Sequence, residues 1–166
     1  MVITKFTHII PVGHTKEKFL SLLSLKQFPV HRVILIVGKD VSASGEDKVY
    51  ETAESLSRDL QGYVELQQRV VDKLDVLKGA LDILDLIKEE TKHGYQVRLN
   101  ISGSLHTIGI SCYIAALVSK TEIYSALPEY KQKQINVNQT FIFGSPNIMV
   151  LKPLLSHKCL IRKFKV

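Results

Sequence analysis

The sequence predicts an α/β protein: a Rossmann-like, doubly wound, mostly parallel sheet flanked by helices. Three observations predict it. Strand-like and helix-like segments alternate along the chain, the order that places crossover helices between parallel strands. Residues 32–37, RVILIV, are a continuous β-branched run of the kind found in strands buried on both faces. Two turns rich in small polar residues, 11–15 and 100–106, follow directly on strand-like segments, where open parallel sheets bind their ligands.

Each element has its own signal. Residues 6–12, FTHIIPV, read as the first strand, with Gly13-His14-Thr15 as the turn after it. Residues 16–25 carry Phe19, Leu20, Leu22 and Leu23 at helical spacing, and Pro29 closes that unit. The strand at 32–37 leads into the loop GKDVSASG and a helix of alternating charge at 46–60. Val64 and Leu66 alternate with polar residues in a third strand at 63–70. Leu74, Leu77, Leu81, Leu84 and Ile87 recur every three or four residues, which predicts a long helix over 73–93 with Gly94 at its C-cap. A fourth strand at 95–101 runs into a helix ending near Ser119, and a fifth strand at 122–126 stops before Pro128. Residues 131–166 break the alternation. KQKQINVNQ reads as loop, TFIF as a short strand, and MVLKPLLSH as a short helix interrupted by Pro153.

Composition narrows the function classes. The chain has 166 residues, 45% hydrophobic and 23% charged, which suits one globular domain with a substantial core. No apolar run approaches the roughly 20 residues of a membrane span. The N-terminus reads as a strand rather than a signal peptide, so a cytoplasmic location is expected. Two cysteines, Cys112 and Cys159, make no disulfide framework and read as structural thiols. The six histidines show no H-x-H or H-x-x-x-H spacing, so no metal site is expected, and no cofactor. A formal net charge of +6 favours a polyanionic partner, a nucleotide or nucleic acid. Much of that excess lies in Lys152, Lys158, Arg162, Lys163 and Lys165.

The segment LNISGSLHTIGI, residues 99–110, concentrates the candidate chemistry. Gly103 lets a backbone approach a ligand closely, and Ser102 and Ser104 supply hydroxyls. The helix opening near His106 presents unpaired N–H groups that favour phosphate. The same residues also suit a plain helix cap after a turn. The segment is neither a P-loop, for want of Gly-Lys-Ser/Thr, nor a G-x-G-x-x-G fingerprint. Arg98, two residues before Asn100, could reach a phosphate or pair with an acid. Lys16 and Lys18 open a helix against its dipole, so they read as ligand-facing or as a solvated pair.

HIIPVGHTKEKF at 8–19 and NISGSLHTIGISCYIAALVSKTEIYSALPEY at 100–130 together resemble the CARF superfamily, the CRISPR-associated Rossmann-fold domains. The likeness is greatest to the archaeal branch fused to a winged helix in transcriptional regulators. It covers roughly residues 6–130. It implies a CARF-like Rossmann domain over 1–130 and a basic extension over 131–166, in which MVLKPLLSHKCLIRKFKV looks like the opening helix of a winged helix cut short, either because the sequence is part of a longer chain or because the protein dispenses with that domain. It further implies a homodimer whose fourth-strand turns meet across a two-fold axis and bind a cyclic oligoadenylate, commonly the four-membered ring. Asn100, Ser102, Gly103, Ser104 and His106 would then face the ring, with Gly13, His14 and Thr15 opposite; Thr107 and Arg98 complete the set of ligand contacts. The family often has Lys or Arg where this chain has His106.

A sensor domain of this kind without an output domain points to a ring nuclease. There the ribose 2′-oxygen attacks the neighbouring phosphorus without a metal, with Ser102, Ser104, His106 and His14 as the candidate catalytic residues. Two other readings stand beside it: a ligand-sensing domain of a CRISPR-linked transcriptional regulator without catalysis, and a DNA-binding protein using its basic tail.

Overall fold

The computed structural model describes residues 4–14, 29–40, 45–102, 104, 106–126 and 148–151. The strands are β1 (Lys5–Pro11), β2 (Arg32–Gly38), β3 (Glu65–Val71), β4 (Tyr95–Asn100), β5 (Glu122–Ala126) and β6 (Ile148–Leu151). The helices among these residues are α1 (Glu46–Leu60), α2 (Val76–Lys92) and α3 (His106–Ser119). The sheet order is β3-β2-β1-β4-β5-β6. The first five strands are parallel, as expected, and β6 runs antiparallel to β5. The expected helix at 16–25, the loop at 131–139 and the strand at 140–143 lie outside the described residues.

Two expectations are corrected. Residues 149–151 are strand rather than helix, with Tyr124 opposite Val150 and Ser125 opposite Met149. A short apolar run carries no usable period, and the free edge of β5 decides its state. The long helix begins at Val76 rather than at 73. Asp72 Oδ1 accepts the N–H groups of Leu74 and Asp75 at 3.1 and 3.0 Å, which keeps 72–74 in a turn. Asp75 then caps the helix, its Oδ1 accepting from Leu77 and Lys78 at 2.9 and 3.0 Å.

The core has two layers. On one face Ile9, Ile34, Ile36, Leu99 and Ile123 pack against Ile83 and Ile87 of α2 and Ile108, Cys112, Ala115 and Ala116 of α3. On the other, Ile10, Val12, Val33, Leu35 and Val37 pack against Val49, Ala53, Leu56 and Leu60 of α1. Glu90, at the end of α2, is 1% exposed. It accepts from Thr7 Oγ1 at 2.5 Å and from Arg32 Nη1 at 2.8 Å, which ties α2 to the first residues of β1 and β2. The leucine stripe of α2 divides: Ile87 is buried and Leu84 half-buried, whereas Leu74, Leu77 and Leu81 are exposed.

Gly79 sets how closely α2 approaches its neighbours. A Cβ there would run into the Asp72 carbonyl and sit 3.0 Å from the Ser111 hydroxyl of α3. Ser111 Oγ donates across the same contact to the Val76 carbonyl at 2.9 Å. Gly79→Ala is therefore expected to destabilise the fold by about 1–3 kcal/mol, opposite in sign to the usual gain from removing a helical glycine. The midpoint of urea unfolding measures it.

Candidate functional site at the β1–β4 switch point

The sheet order reverses between β1 and β4, and the turns after these two strands lie side by side at the carboxyl edge. Asn100 ends β4. Its side chain is fully buried, and its Oδ1 accepts the Ser102 N–H at 2.8 Å. This Asx turn bends the chain out of the ladder one residue after Ile101 N–H bonds the Tyr124 carbonyl. Ser102 is buried as well. Ser104 Oγ donates to the Ile101 carbonyl at 3.0 Å, closing the turn a second time. His106 is the exposed first residue of α3, and Thr107 is half-buried behind it. Gly103 lies outside the described residues, as does Thr15.

Gly13 and His14 close β1. The imidazole Nε2 of His14 lies 3.1 Å from where a Cβ on Gly45 would sit, so the ring rests over the start of α1. His14 and His106 thus attach to helices on opposite faces of the sheet. Arg98 is directed elsewhere. Its Nε donates to Glu122 Oε2 at 2.7 Å, and its guanidinium lies 4.2 Å above the Phe6 ring. Phe6 and Glu122 stand at the amino ends of their strands, so Arg98 belongs to the edge opposite the Asn100 turn.

Sequence reasoning missed a buried ion pair under the β1 turn. Lys73, 5% exposed, donates to Glu46 Oε1 at 2.9 Å and to the Val12 carbonyl at 3.3 Å. The same carboxylate oxygen accepts the Gly38 N–H at 2.5 Å, and Tyr50, one turn along α1, donates to the Gly38 carbonyl. A Cβ on residue 38 would lie 2.6 Å from that oxygen, so a larger residue there would have to push the carboxylate aside. One pair therefore joins the carboxyl ends of β1, β2 and β3. Burial pushes the Lys73 ammonium below its ordinary pKa, and the Glu46 carboxylate partly offsets this. The available signal was slight: Lys73 follows closely on the end of β3, but Glu46 opens α1 across a loop from β2.

His8, inside β1, is 1% exposed. Burial lowers its pKa to about 4; Arg98 and His31 add to the shift, while the Pro29 carbonyl and Glu122 oppose it. Cys112 is buried in the core, and its thiol is pushed up to about 12, so it is unreactive at neutral pH. Among the described residues, no group of three or more His, Cys, Asp or Glu converges as metal ligands would. No described helix is long and apolar enough to cross a membrane.

Lys73→Met should cost about 3 kcal/mol, because it strands a buried carboxylate, and Glu46→Leu added to it should recover most of that loss. Chemical denaturation of the two single variants and the double variant measures the coupling. Acid stability follows His8. Its folded pKa lies below the unfolded value, so the unfolded chain binds the extra proton between the two. Stability is full above about pH 6.5 and falls by about 3 kcal/mol on going to pH 4. Unfolding midpoints across that range, compared with those of His8→Gln, test it.

Comparison with known proteins agrees with this architecture. The Csm6 protein of Enterococcus italicus, solved with cyclic hexa-2'-fluoro-hexa-dAMP, superposes with a TM-score of 0.58 at 12% identity, over 77% of this chain and 34% of that one. Can2 from Sulfobacillus thermosulfidooxidans, solved with cyclic tetra-adenylate, gives 0.51 at 16% identity, over 73% and 32%. VC1899 from Vibrio cholerae gives 0.58 at 14%, over 74% and 30%. These likenesses establish the fold, the Rossmann-like arrangement of CARF-domain proteins. An uncharacterised protein of Archaeoglobus fulgidus is 27% identical over 120 residues, which is 72% of this chain and 52% of that protein. The chain thus spans about half the length of that curated relative and a third of the solved structures. The family described as HFX_2341_N:-like, N-terminal, matches residues 6–131, and the chain belongs to it.

Proposed function

We propose that this chain binds a cyclic oligoadenylate of type III CRISPR signalling, the four-membered ring for preference, at the carboxyl edge between β1 and β4. The observation that carries it is the Asn100 Asx turn opening directly into α3 beside the end of β1. A helix start and a tight polar turn at a switch point suit phosphates. Csm6 and Can2, similar in fold, were solved with cyclic oligonucleotides of this class, which supports the ligand. The charge of +6 suits a polyanion.

The binding unit is a homodimer with the ring on its two-fold axis, so that each subunit meets equivalent phosphates and adenines. Exposed Leu74, Leu77 and Leu81 of α2 and its approach, with Ile110 and Tyr113 of α3, supply apolar surface near the turn for the second copy. A cyclic nucleotide made inside cells also implies a cytoplasmic setting.

Bound there, the ring is cleaved by its own ribose. The 2′-oxygen attacks the adjacent phosphorus, the bond from phosphorus to the 5′-oxygen breaks, and a 2′,3′-cyclic phosphate remains. His106, exposed at the first position of α3, takes the 2′-proton or supplies the one needed by the leaving 5′-oxygen; His14 serves from the β1 turn. The Ser104 hydroxyl turns from the Ile101 carbonyl to a phosphoryl oxygen. A second reading, a sensor domain of a regulator without catalysis, is favoured by one observation. Ser102 is buried, and its N–H is committed to Asn100. The third, DNA binding by the basic tail, falls on residues 152–165, outside the described residues.

Incubation with cyclic tetra-adenylate in the absence of metal, with products resolved by chromatography, tests the proposal. One ring should bind per two chains, and linear di-adenylate ending in a cyclic phosphate should accumulate. His106→Ala should slow cleavage by about 100-fold or more while the ring still binds. Binding without cleavage selects the sensor; no binding removes the ring from consideration.

A further inference from the structure

Three buried polar side chains share the α1 face of the sheet: Asn100 of β4, which forms the turn, and His8 of β1 and Tyr124 of β5, which have no part in that chemistry, each no more than 1% exposed. Asn100 stands level with Tyr124 across the β4–β5 ladder, and His8 stands level with Arg98, two residues earlier on β4.

Their donors and acceptors can be assigned. His8 Nε2 lies 3.2 Å from the Pro29 carbonyl, which only accepts, so Nε2 carries the hydrogen. In the neutral ring Nδ1 is then bare and accepts the Tyr124 hydroxyl hydrogen at 2.5 Å. The Tyr124 oxygen is left with lone pairs only, beside Asn100 of the neighbouring strand. Asn100 Oδ1 is already taken by the Ser102 N–H. The group left to face Tyr124 is the Asn100 amide nitrogen, which is buried and has no acceptor at full hydrogen-bond geometry.

The alternative amide orientation, turned by half a revolution, would set Nδ2 against the Ser102 N–H and Oδ1 against Tyr124. It would be satisfied at Tyr124 only if that hydroxyl were able to donate to Oδ1. His8 takes the hydroxyl hydrogen and removes that possibility.

We propose that His8 and Tyr124 are positioning residues for the Asn100 turn: the Pro29 carbonyl fixes the His8 tautomer, His8 takes the Tyr124 hydroxyl hydrogen, and the lone pairs left on Tyr124 hold the Asn100 amide in the orientation that forms the Asx turn. The inference rests on the reading that this turn binds the ring. Arg98, Glu122 and His31 also face His8. Arg98 and His31 help to keep its ring neutral, as the assignment requires.

The test uses the full chain in two measurements. In the free protein, nuclear magnetic resonance follows the Ser102 backbone N–H and the Asn100 side-chain amide. Calorimetry gives the affinity for cyclic tetra-adenylate. Tyr124→Phe, which removes the lone pairs that face the amide, should shift both resonances and weaken binding about threefold to tenfold. His8→Leu should do the same although it does not touch the turn. His8→Gln, whose amide both donates and accepts, should restore the resonances and the affinity. If Tyr124→Phe and His8→Leu lower the unfolding temperature but leave the Ser102 resonance in place, the pair only stabilises the fold and the proposal is overturned. If the wild-type chain does not bind the ring, the functional reading fails, and the resonances of the free protein still decide the positioning role.

Discussion

The pairing of β1 with β4 governs the molecule. Lys5 to Ile9 stand level with Tyr95 to Leu99, and β1 takes β2 on its other side. The chain order reverses at that seam, so consecutive helices cannot cover it from one side, and a crevice remains at the carboxyl edge. Both polar turns end there. The Asx bond at Asn100 ends the strand abruptly, and the Lys73–Glu46 pair holds the end of β1 in line with β2 and β3. A loop without these bonds would present a fluctuating surface. With them, the backbone at the crevice is part of the packed core.

The two faces of the sheet solve the same burial problem differently. The face under α2 and α3 is apolar through its central cluster, with small residues on α3 bringing that helix close, and keeps its buried polar group, Glu90 with Thr7 and Arg32, at the amino edge. The face under α1 is apolar along β1, β2 and the helix, but on β4 and β5 it carries Arg98, Asn100, Glu122 and Tyr124, with His8 beside them on β1. Buried polar groups are tolerated only when paired, and a half-satisfied set costs more than an apolar one. His8 with Tyr124 and the Pro29 carbonyl meets that condition, Arg98 pairs with Glu122 and lies over Phe6, and Asn100 Nδ2 is the exception. The patch runs along β4 and β5 from Arg98 and Glu122 near the amino edge to Asn100 and Tyr124 beside the crevice.

Glycines at close contacts link this packing to the site. Gly79 brings α2 against the Asp72 carbonyl and α3, and Gly38 admits the Glu46 carboxylate. The first contact sets the pair of helices whose exposed leucines and Tyr113 border the turn. The second sets the start of α1, on which the His14 ring rests. Neither contact lies in the crevice, yet each determines where one of its two histidine-bearing segments stands.

Sequence alone determined the fold class, five of the strands and the three described helices, because apolar period and cap chemistry are local. It also located the Asn100 turn, since Asn, Ser and Gly directly before a helix have a local reason to be there. What it left open needed neighbours. The state of 148–151 came from the free edge of β5, because a four-residue apolar run carries no period. The start of α2 came from two competing aspartates, and the partner of Arg98 from the β4–β5 register. Lys73 with Glu46, and His8 with Tyr124, are separated by 27 and 116 residues. No local pattern encodes such pairs; only the stacking of strands in the order β3-β2-β1-β4-β5 brings their atoms within hydrogen-bond distance.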